Sequence, residues 1–402
     1  MQTTIRGPIA GTEAARVAEE ALRACVHCGF CNATCPTYQL TGDELDGPRG
    51  RIYLMKQALE GEPVSEISLN HLDRCLSCRS CETTCPSGVQ YHRLYDVGHQ
   101  LVAEAAPRGW GGRLLRWAIR RATTSALFGL ALRVGRWLRP LLPQALRAKV
   151  TPRIEPGPWP KARHARRVLM LGGCVQASAA PHFNAAAARV LDRGGVESLE
   201  IAGCCGAVHF HLDAPEAARA AARRNLDAWR PHLESGAQEI VITSSGCATF
   251  VRDYPDVLRD DPDYLELARA AAALVRDPVE AISAAALPIR RAPAEPRIAV
   301  HEPCTLQHGL RLTGRIAELL RGLGYDPQPV ADNHLCCGSA GAYSLLHPEM
   351  AGELKRAKLQ ALNAASPAAI YTANIGCWMH LADGSPAPVR HWIEAVDDVT
   401  RP

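Results

Sequence analysis

The sequence predicts an α/β protein with duplicated parallel-sheet halves, preceded by a small α-helical N-terminal domain. Three observations carry that expectation. Sixteen cysteines in 402 residues fall into four sets of four, with none left over. Two sets are short, matching runs near the N-terminus. The other two are spread over residues 174–377, each ligand of one offset from its counterpart by 130, 132, 132 and 130 positions, amid alternating strand-like and helix-like stretches. An apolar fraction of 47% with 21% charged residues suits a folded chain of two or three domains. The 29 prolines and 32 glycines show no period, which excludes collagen-like and solenoid architectures.

The N-terminal part, to about residue 105, carries the two runs. Cys25, Cys28, Cys31 and Cys35 form C-x2-C-x2-C-x3-C before Pro36; Cys75, Cys78, Cys81 and Cys85 repeat it 50 positions later, before Pro86. The first residues contain no apolar core of a secretory signal, so disulfides are not expected and the thiols read as metal ligands. Three cysteines on one tight turn supply three corners of a cubane, and the fourth, carried past the turn, serves the other cluster in proteins with two such runs. The spacing therefore predicts a ferredoxin-like domain with two [4Fe–4S] clusters. Cys25, Cys28, Cys31 and Cys85 would hold one, and Cys75, Cys78, Cys81 and Cys35 the other. Zinc knuckles, the alternative for CxxC pairs, fit this spacing poorly. Between the runs a helix is expected over about Arg49–Leu59, with Ile52, Met55 and Leu59 on one face, and another around His92–Ala103. His27, inside the first run, reads as a surface or cluster-shielding side chain.

A basic connector, 106–160, follows. Residues 107–153 hold ten arginines, one lysine and no acid; taking those eleven charges from a net +4 leaves −7 on the rest. Along the connector Trp110, Trp117 and Trp137 are interleaved with Arg113, Arg116, Arg120, Arg121, Arg133, Arg136 and Arg139, and Gly111–Arg121 and Leu127–Leu142 read as helices with Leu, Trp and Phe on one side. The composition suits an anionic membrane surface. The alternatives are a partner-binding arm, or a basic face laid on the protein's own acidic remainder. Nucleic acid is not expected, because no recognition fold accompanies the charge. No apolar stretch is long enough for a membrane-spanning helix.

Two related halves are expected at 161–275 and 295–402, with a linker over 276–294. In the first, a strand near Arg167 ends before Cys174, a helix covers Pro181–Leu191, and a strand near Glu197–Ile201 runs into Cys204-Cys205-Gly206. Helix Pro215–Pro231 then leads to a strand at Glu239 and to Cys247. In the second, a strand from Arg297 precedes Cys304, a helix covers about Thr313–Leu323, and Cys336-Cys337-Gly338 follows. Helix Pro348–Asn363 then leads to a strand at Ala369 and to Cys377. Strand–helix alternation implies a parallel sheet in each half, with cysteines beyond strand carboxyl ends, where open α/β sheets place their ligands. Glycines beside the cysteines permit close backbone approach to something bulky. Each quartet is a candidate iron–sulfur or zinc site. The alternative is a set of buried structural thiols.

These motifs identify a resemblance. The N-terminal runs followed by duplicated C…CCG…C halves resemble the family that joins the iron–sulfur subunits of bacterial glycolate oxidase (glycolate dehydrogenase), the electron-transfer subunit of anaerobic glycerol-3-phosphate dehydrogenase, and heterodisulfide reductase subunits. The stretches CVHCGFCNATCPTYQLTGDELDGPRGRIYLMK, CPSGVQYHRLYDVGHQ, HEPCTLQH and NIGCWMHL are most similar to the glycolate oxidase branch. The resemblance implies an electron-transfer subunit that works with two FAD-binding-type partner chains, passing electrons from glycolate oxidation toward a quinone or similar acceptor. It implies a cytoplasmic chain, or one peripheral on the cytoplasmic face of the inner membrane. A lactate or glycerol-3-phosphate dehydrogenase subunit, or a heterodisulfide-reductase-like one, is the rival within the superfamily, and a zinc-stabilised scaffold the rival outside it. One departure stands out. Relatives of the heterodisulfide reductase type end each half in a CxxC pair, whereas here Ser244 and Asn374 stand three residues before Cys247 and Cys377. That leaves an ordinary [4Fe–4S] site, zinc or no metal open for each half.

No G-x-G-x-x-G, P-loop or H-E-x-x-H is present, so no flavin and no substrate turnover are expected on this chain, and no catalytic residue is assigned. His209, His211, His301, His308 and His380 lie near the cysteines and read as core or surface residues, or as donors that tune a cluster.

Overall fold

Two four-stranded sheets, parallel throughout, organise residues 166–402. The computed structural model describes residues 1–125, 127–141, 150–282 and 287–402. Leu142, the expected end of a connector helix, the basic residues Arg147 and Lys149, and residues 283–286 of the expected linker lie outside the described residues. The first sheet contains β1 (Arg166–Leu171), β2 (Val196–Ile201), β3 (Glu239–Val241) and β4 (Val275–Arg276), in the order β2-β1-β3-β4. The second contains β5 (Arg297–Val300), β6 (Asp326–Gln328), β7 (Ala369–Thr372) and β8 (Val389–His391), in the order β6-β5-β7-β8. Val168 to Leu171 are buried without alternation, as a central parallel strand covered on both faces must be. In each sheet the strand order reverses beside the first strand, which opens a crevice at the carboxyl ends of β1 and β3, and of β5 and β7.

The expected helices form, three with slightly shifted ends (Pro181–Arg193, Pro215–Glu234 and Arg315–Gly322) and Pro348–Asn363 as read. Other elements lay outside the sequence reading. β4 reaches Arg276, inside the stretch read as linker, and Asp277 then caps a short helix, Pro278–Ala281. A C-terminal helix, Trp392–Thr400, buries Trp392, Ile393 and Val396. It packs against helix Pro181–Arg193 of the other half, in which Ala185 to Ala188 are all buried. Arg189 and Arg193 of that helix hold the buried Asp397 at 2.7 and 2.8 Å. His391 caps the C-terminal helix through Nδ1 and donates Nε2–H to Thr243 O at 2.9 Å. The halves therefore share one apolar core.

The N-terminal domain packs helices Glu13–Ala24, Pro48–Leu59 and Tyr91–Ala105 around Leu22, Met55, Leu59, Leu94 and Val102. Gly98 lets two of them close: a Cβ there would fall 2.7 Å from Met55 Sδ. The domain is tied to the first half by Arg79–Asp253 and Arg93–Asp256, and to the second by Thr83 Oγ1 against His308 Nδ1 at 2.8 Å. The connector forms helices Trp110–Thr124 and Leu127–Leu138, neither with a buried residue. Arg116 nonetheless turns inward to Asp73 and Asp213, and Arg136 to the carbonyls of Thr151 and Ala179. Among the described residues no helix is long and apolar enough to cross a membrane.

Candidate metal centres

Both N-terminal runs adopt the same local path. Each places left-handed residues at matching positions, His27 and Gly29 in the first and Ser77 and Arg79 in the second. The alternation curls the chain so that three cysteines border one space. Each run then makes a short helical turn, Phe30–Thr34 or Ser80–Thr84, before the fourth cysteine and its proline. The two turns meet through Thr34 Oγ1 and Thr84 Oγ1 at 3.1 Å, which carries each fourth cysteine toward the other run. One small cavity is lined by Cys25, Cys28, Cys31 and Cys85, with Ile52, Val89 and Tyr91 as its apolar wall. A second is lined by Cys35, Cys75, Cys78 and Cys81. Cys81 borders both.

The electrostatics of these cavities ask for cations. Burial pushes the Cys78 and Cys81 thiols well up, so without a positive charge nearby they stay protonated. Soft sulfur donors converging on an apolar cavity fit an iron–sulfur cluster or zinc, whose charge would hold them as thiolates. One permanent cation already faces the second cavity. Arg51 is 1% exposed, donates to His71 O at 2.8 Å and to Thr37 Oγ1 at 3.1 Å, and lies beside the fully buried Asp46. Thr37 Oγ1 in turn touches Cys35 Sγ at 3.3 Å, and Tyr91 donates its hydroxyl to Cys75 Sγ at 3.8 Å. Sequence reasoning missed Arg51, which looks like any basic residue on an amphipathic helix. Its only signal was its place among the buried Gly50, Ile52 and Met55.

The quartets in the two halves also converge. Cys174 follows β1 and Cys204 follows β2, each by three residues, and Cys247 sits in the first turn of helix Ser245–Arg252. Cys174 touches Cys204, and Cys205 touches Cys247. In the second half Cys304 Sγ lies 3.8 Å from Cys336 Sγ, and Cys337 touches Cys377. The expectation that each cysteine lies just beyond a strand holds for Cys174, Cys204 and Cys304. Cys336 instead comes eight residues after β6, at the end of a loop. The glycine after each cysteine pair admits a helix backbone, not a ligand: a Cβ on Gly338 would fall 2.8 Å from Ala351 O, and one on Gly206 3.2 Å from Ala218 O. Ser244 Oγ donates to Asn374 Oδ1 at 2.6 Å, so the residues that replace the expected CxxC cysteines bond to one another across the halves. Asn374 Nδ2 also reaches Cys377 Sγ at 3.4 Å.

The sets are neighbours in space. Cys78 and Cys304 both pack against one apolar cluster that holds Cys336 and Leu76. Beyond them opens a cleft of about 850 Å³, lined by Cys174, Cys205 and Cys247 of the first half, Cys304, Cys336 and Cys377 of the second, and Ile119 and Phe128 of the connector. His211 and His380 line this cleft as well. His308 is held between Thr83 and the carbonyl of His334 and ties domains together. His27 bonds Arg49 O at 3.2 Å. Lys358, buried beside Cys304, Cys336 and Cys337, donates to Asp332 O at 2.7 Å; burial lowers its pKa while those thiols oppose the shift. It too was missed.

Comparison with known proteins places these elements. Residues 21–89 match the 4Fe-4S dicluster domain, and residues 168–252 and 298–382 each match the cysteine-rich domain. The chain is 49% identical over 401 residues to the glycolate oxidase iron-sulfur subunit of Escherichia coli (strain K12), covering 99% of this chain and 98% of that one. It is 29% identical over 408 residues to the probable glycolate oxidase iron-sulfur subunit of Bacillus subtilis (strain 168), covering 92% and 90%. Lactate utilization protein A of Exiguobacterium sp. shares 24% identity over 208 residues, 48% of this chain and 81% of that one.

Proposed function

The chain belongs to the glycolate oxidase iron–sulfur subunit family, and from that premise we propose that it carries electrons to a quinone from a flavin-bearing partner that oxidises glycolate. It is an electron-transfer subunit of an oxidoreductase; substrate turnover is assigned to the partners. In this reading Cys25, Cys28, Cys31 and Cys85 hold one [4Fe–4S] cluster, and Cys35, Cys75, Cys78 and Cys81 the other. Bound there, such clusters supply one-electron carriers with potentials set by their surroundings. The chain's own residues fix their order.

The observation that carries the reading is the unbroken succession of cysteine sets. Cys28 is exposed at one end, flanked by Val26 and Phe30, which are 69% and 63% exposed. This apolar rim suits a docked partner that delivers electrons. Cys81 lines both cavities, and at the far side Cys78 and Cys304 pack against the same apolar cluster. The cleft beyond lies within the size range of small-molecule sites, about 300–1,000 Å³, and its mainly apolar wall suits a quinone. The connector helices border it and leave Trp110 and Trp137 79% and 81% exposed, a surface suited to the membrane in which quinones dissolve. Two FAD-binding-type partners and a place on the cytoplasmic face of the inner membrane complete the proposal.

Anaerobic purification of the chain with and without co-eluting partners tests it. The complex should contain flavin and bleach its iron–sulfur absorbance on addition of glycolate, with reoxidation by a soluble quinone. The chain alone should hold iron and sulfide but neither bind flavin nor oxidise glycolate. Stoichiometric flavin on the isolated chain, or glycolate turnover by it, would overturn the assignment.

A further inference from the structure

The two halves are built alike but are not chemically alike. Cys174 and Cys304 correspond, so Leu171 in the first half matches His301 in the second. Cys247 and Cys377 correspond, so Ile242 matches Thr372. An apolar pair in one half is thus a polar pair in the other, and both polar residues are buried, at 1% and 0% exposure. Burying an imidazole and a hydroxyl in a core that tolerates Leu and Ile costs free energy unless the groups are used. They are used on each other: His301 Nδ1 and Thr372 Oγ1 lie 2.9 Å apart. His301 is further fixed by its backbone, whose N–H donates to Tyr371 O at 2.8 Å and so extends the β5–β7 ladder past Val300.

A ring nitrogen of His301 and the sulfurs of Cys337 and Cys377 all lie within 4.8 Å of one another, every one of the three residues buried. When Nδ1–H donates to Thr372 Oγ1, the lone pair left for a metal is on Nε2. An imidazole whose other nitrogen is hydrogen-bonded is how proteins orient a metal-ligating histidine and fix its tautomer. The Asn374 side chain, which stands where relatives of the heterodisulfide reductase type place a fifth cysteine, bonds Cys377 and Ser244 instead.

We propose that His301 is a metal ligand: the second half binds iron through a mixed set, the thiolates of Cys304, Cys336, Cys337 and Cys377 with the imidazole of His301, while the first half has thiolates alone. The imidazole adds a neutral nitrogen donor without changing the number of thiolates, so the two halves differ in donor set and not in ligand charge. The inference rests on the reading that the second half holds a metal, and the test separates the two.

The anaerobically purified complex, labelled with 15N-histidine, is examined by pulsed EPR after partial reduction, and its iron is counted. The expected result is a histidine-nitrogen hyperfine coupling that is present in the parent and lost in both His301→Leu and His301→Gln. Gln keeps a hydrogen bond for Thr372 and guards against simple misfolding. Thr372→Val should retain the coupling but weaken iron retention against a chelator about 10- to 100-fold. Iron present in the second half without any histidine coupling, or a coupling that survives His301→Leu, overturns the ligand assignment alone. Iron content unchanged when Cys337 and Cys377 are both replaced by Ser shows the half to be empty, and overturns the ligand and the metal together.

Discussion

Arg51→Leu should lower the midpoint potential of the cluster next to it by about 100 mV. The guanidinium reaches Cys35 through Thr37, by links of 3.1 and 3.3 Å, so Nη1 lies no farther from Cys35 Sγ than their total, about 6.4 Å. At an effective dielectric of about 20, a unit charge at that distance is worth roughly 2–3 kcal/mol. For a one-electron couple that is on the order of 100 mV, because tenfold in equilibrium is about 59 mV. The sign follows from charge: the cation stabilises the reduced, more negative cluster, and its loss makes reduction harder. The variant also leaves His71 O and Thr37 Oγ1 without a donor and Asp46 with one neighbour fewer. Asp46 keeps Arg74 at 2.8 Å and His71 at 2.9 Å, so destabilisation should sit near the lower end of the roughly 3–5 kcal/mol seen when buried pairs are broken. Arg51→Lys preserves the charge and separates the two effects. The assay is a dithionite-mediated redox titration followed by EPR, on parent and both variants. A potential in Arg51→Leu within about 20 mV of the parent, with the cluster intact, would refute the electrostatic argument.

Three further outcomes follow from the geometry. Cys35→Ala should abolish the cluster of Cys75, Cys78 and Cys81 and spare that of Cys25, Cys28 and Cys31, as read by EPR and iron content; the reverse pattern would show that each run serves its own cluster. His391 is buried, with its pKa lowered to about 3 because burial disfavours the charged ring. Its unfolded value is about 6.5, so its contribution is complete above that pH and is lost as pH falls toward 3, on the order of 2 kcal/mol by pH 5. In urea titrations between pH 7 and 4.5, His391→Asn should lose close to one proton from the acid slope, and an unchanged slope would sink the idea. Arg113→Glu with Arg121→Glu should weaken sedimentation with anionic vesicles by about thirtyfold or more, each basic residue being worth on the order of 1 kcal/mol at such a surface. Arg116 is left alone because it is committed to Asp73 and Asp213. If vesicle binding persists while the partner chains fail to co-purify, the helices are a docking arm.

What the sequence displayed, and what it hid, divides along the range of the interactions. The cysteine runs and the strand–helix alternation are local: a 3.6- or 2-residue period, or a spacing of two between ligands, is written in consecutive residues. Helix Pro348–Asn363 was legible to the residue because proline opens it and a regular apolar face runs its length. β4 and β8, of two and three residues, are too short to show a period and exist because a neighbouring strand offers them hydrogen bonds. The helix Trp392–Thr400 is held by Arg189 and Arg193, about two hundred positions away. The basic connector was read correctly as helical, yet its charges were treated as one pool; Arg116 and Arg136 are spent within the fold, and only packing shows it.

The same division governs the metal centres. Thiols announce themselves by spacing, whereas the groups that set their charge do not. Arg51 and Lys358 sit on amphipathic helices, where a basic residue is ordinary, and only tertiary structure turns their side chains into the core beside sulfur. His301 had a weak local signal, three residues before Cys304, and was one of five histidines with no means of ranking them. What ranks it is a comparison inside the chain: the first half fills the equivalent positions with Leu171 and Ile242, so duplication supplies its own control. A polar pair retained in one copy and absent from the other, at full burial, marks where the two copies have separated in chemistry while keeping the same fold.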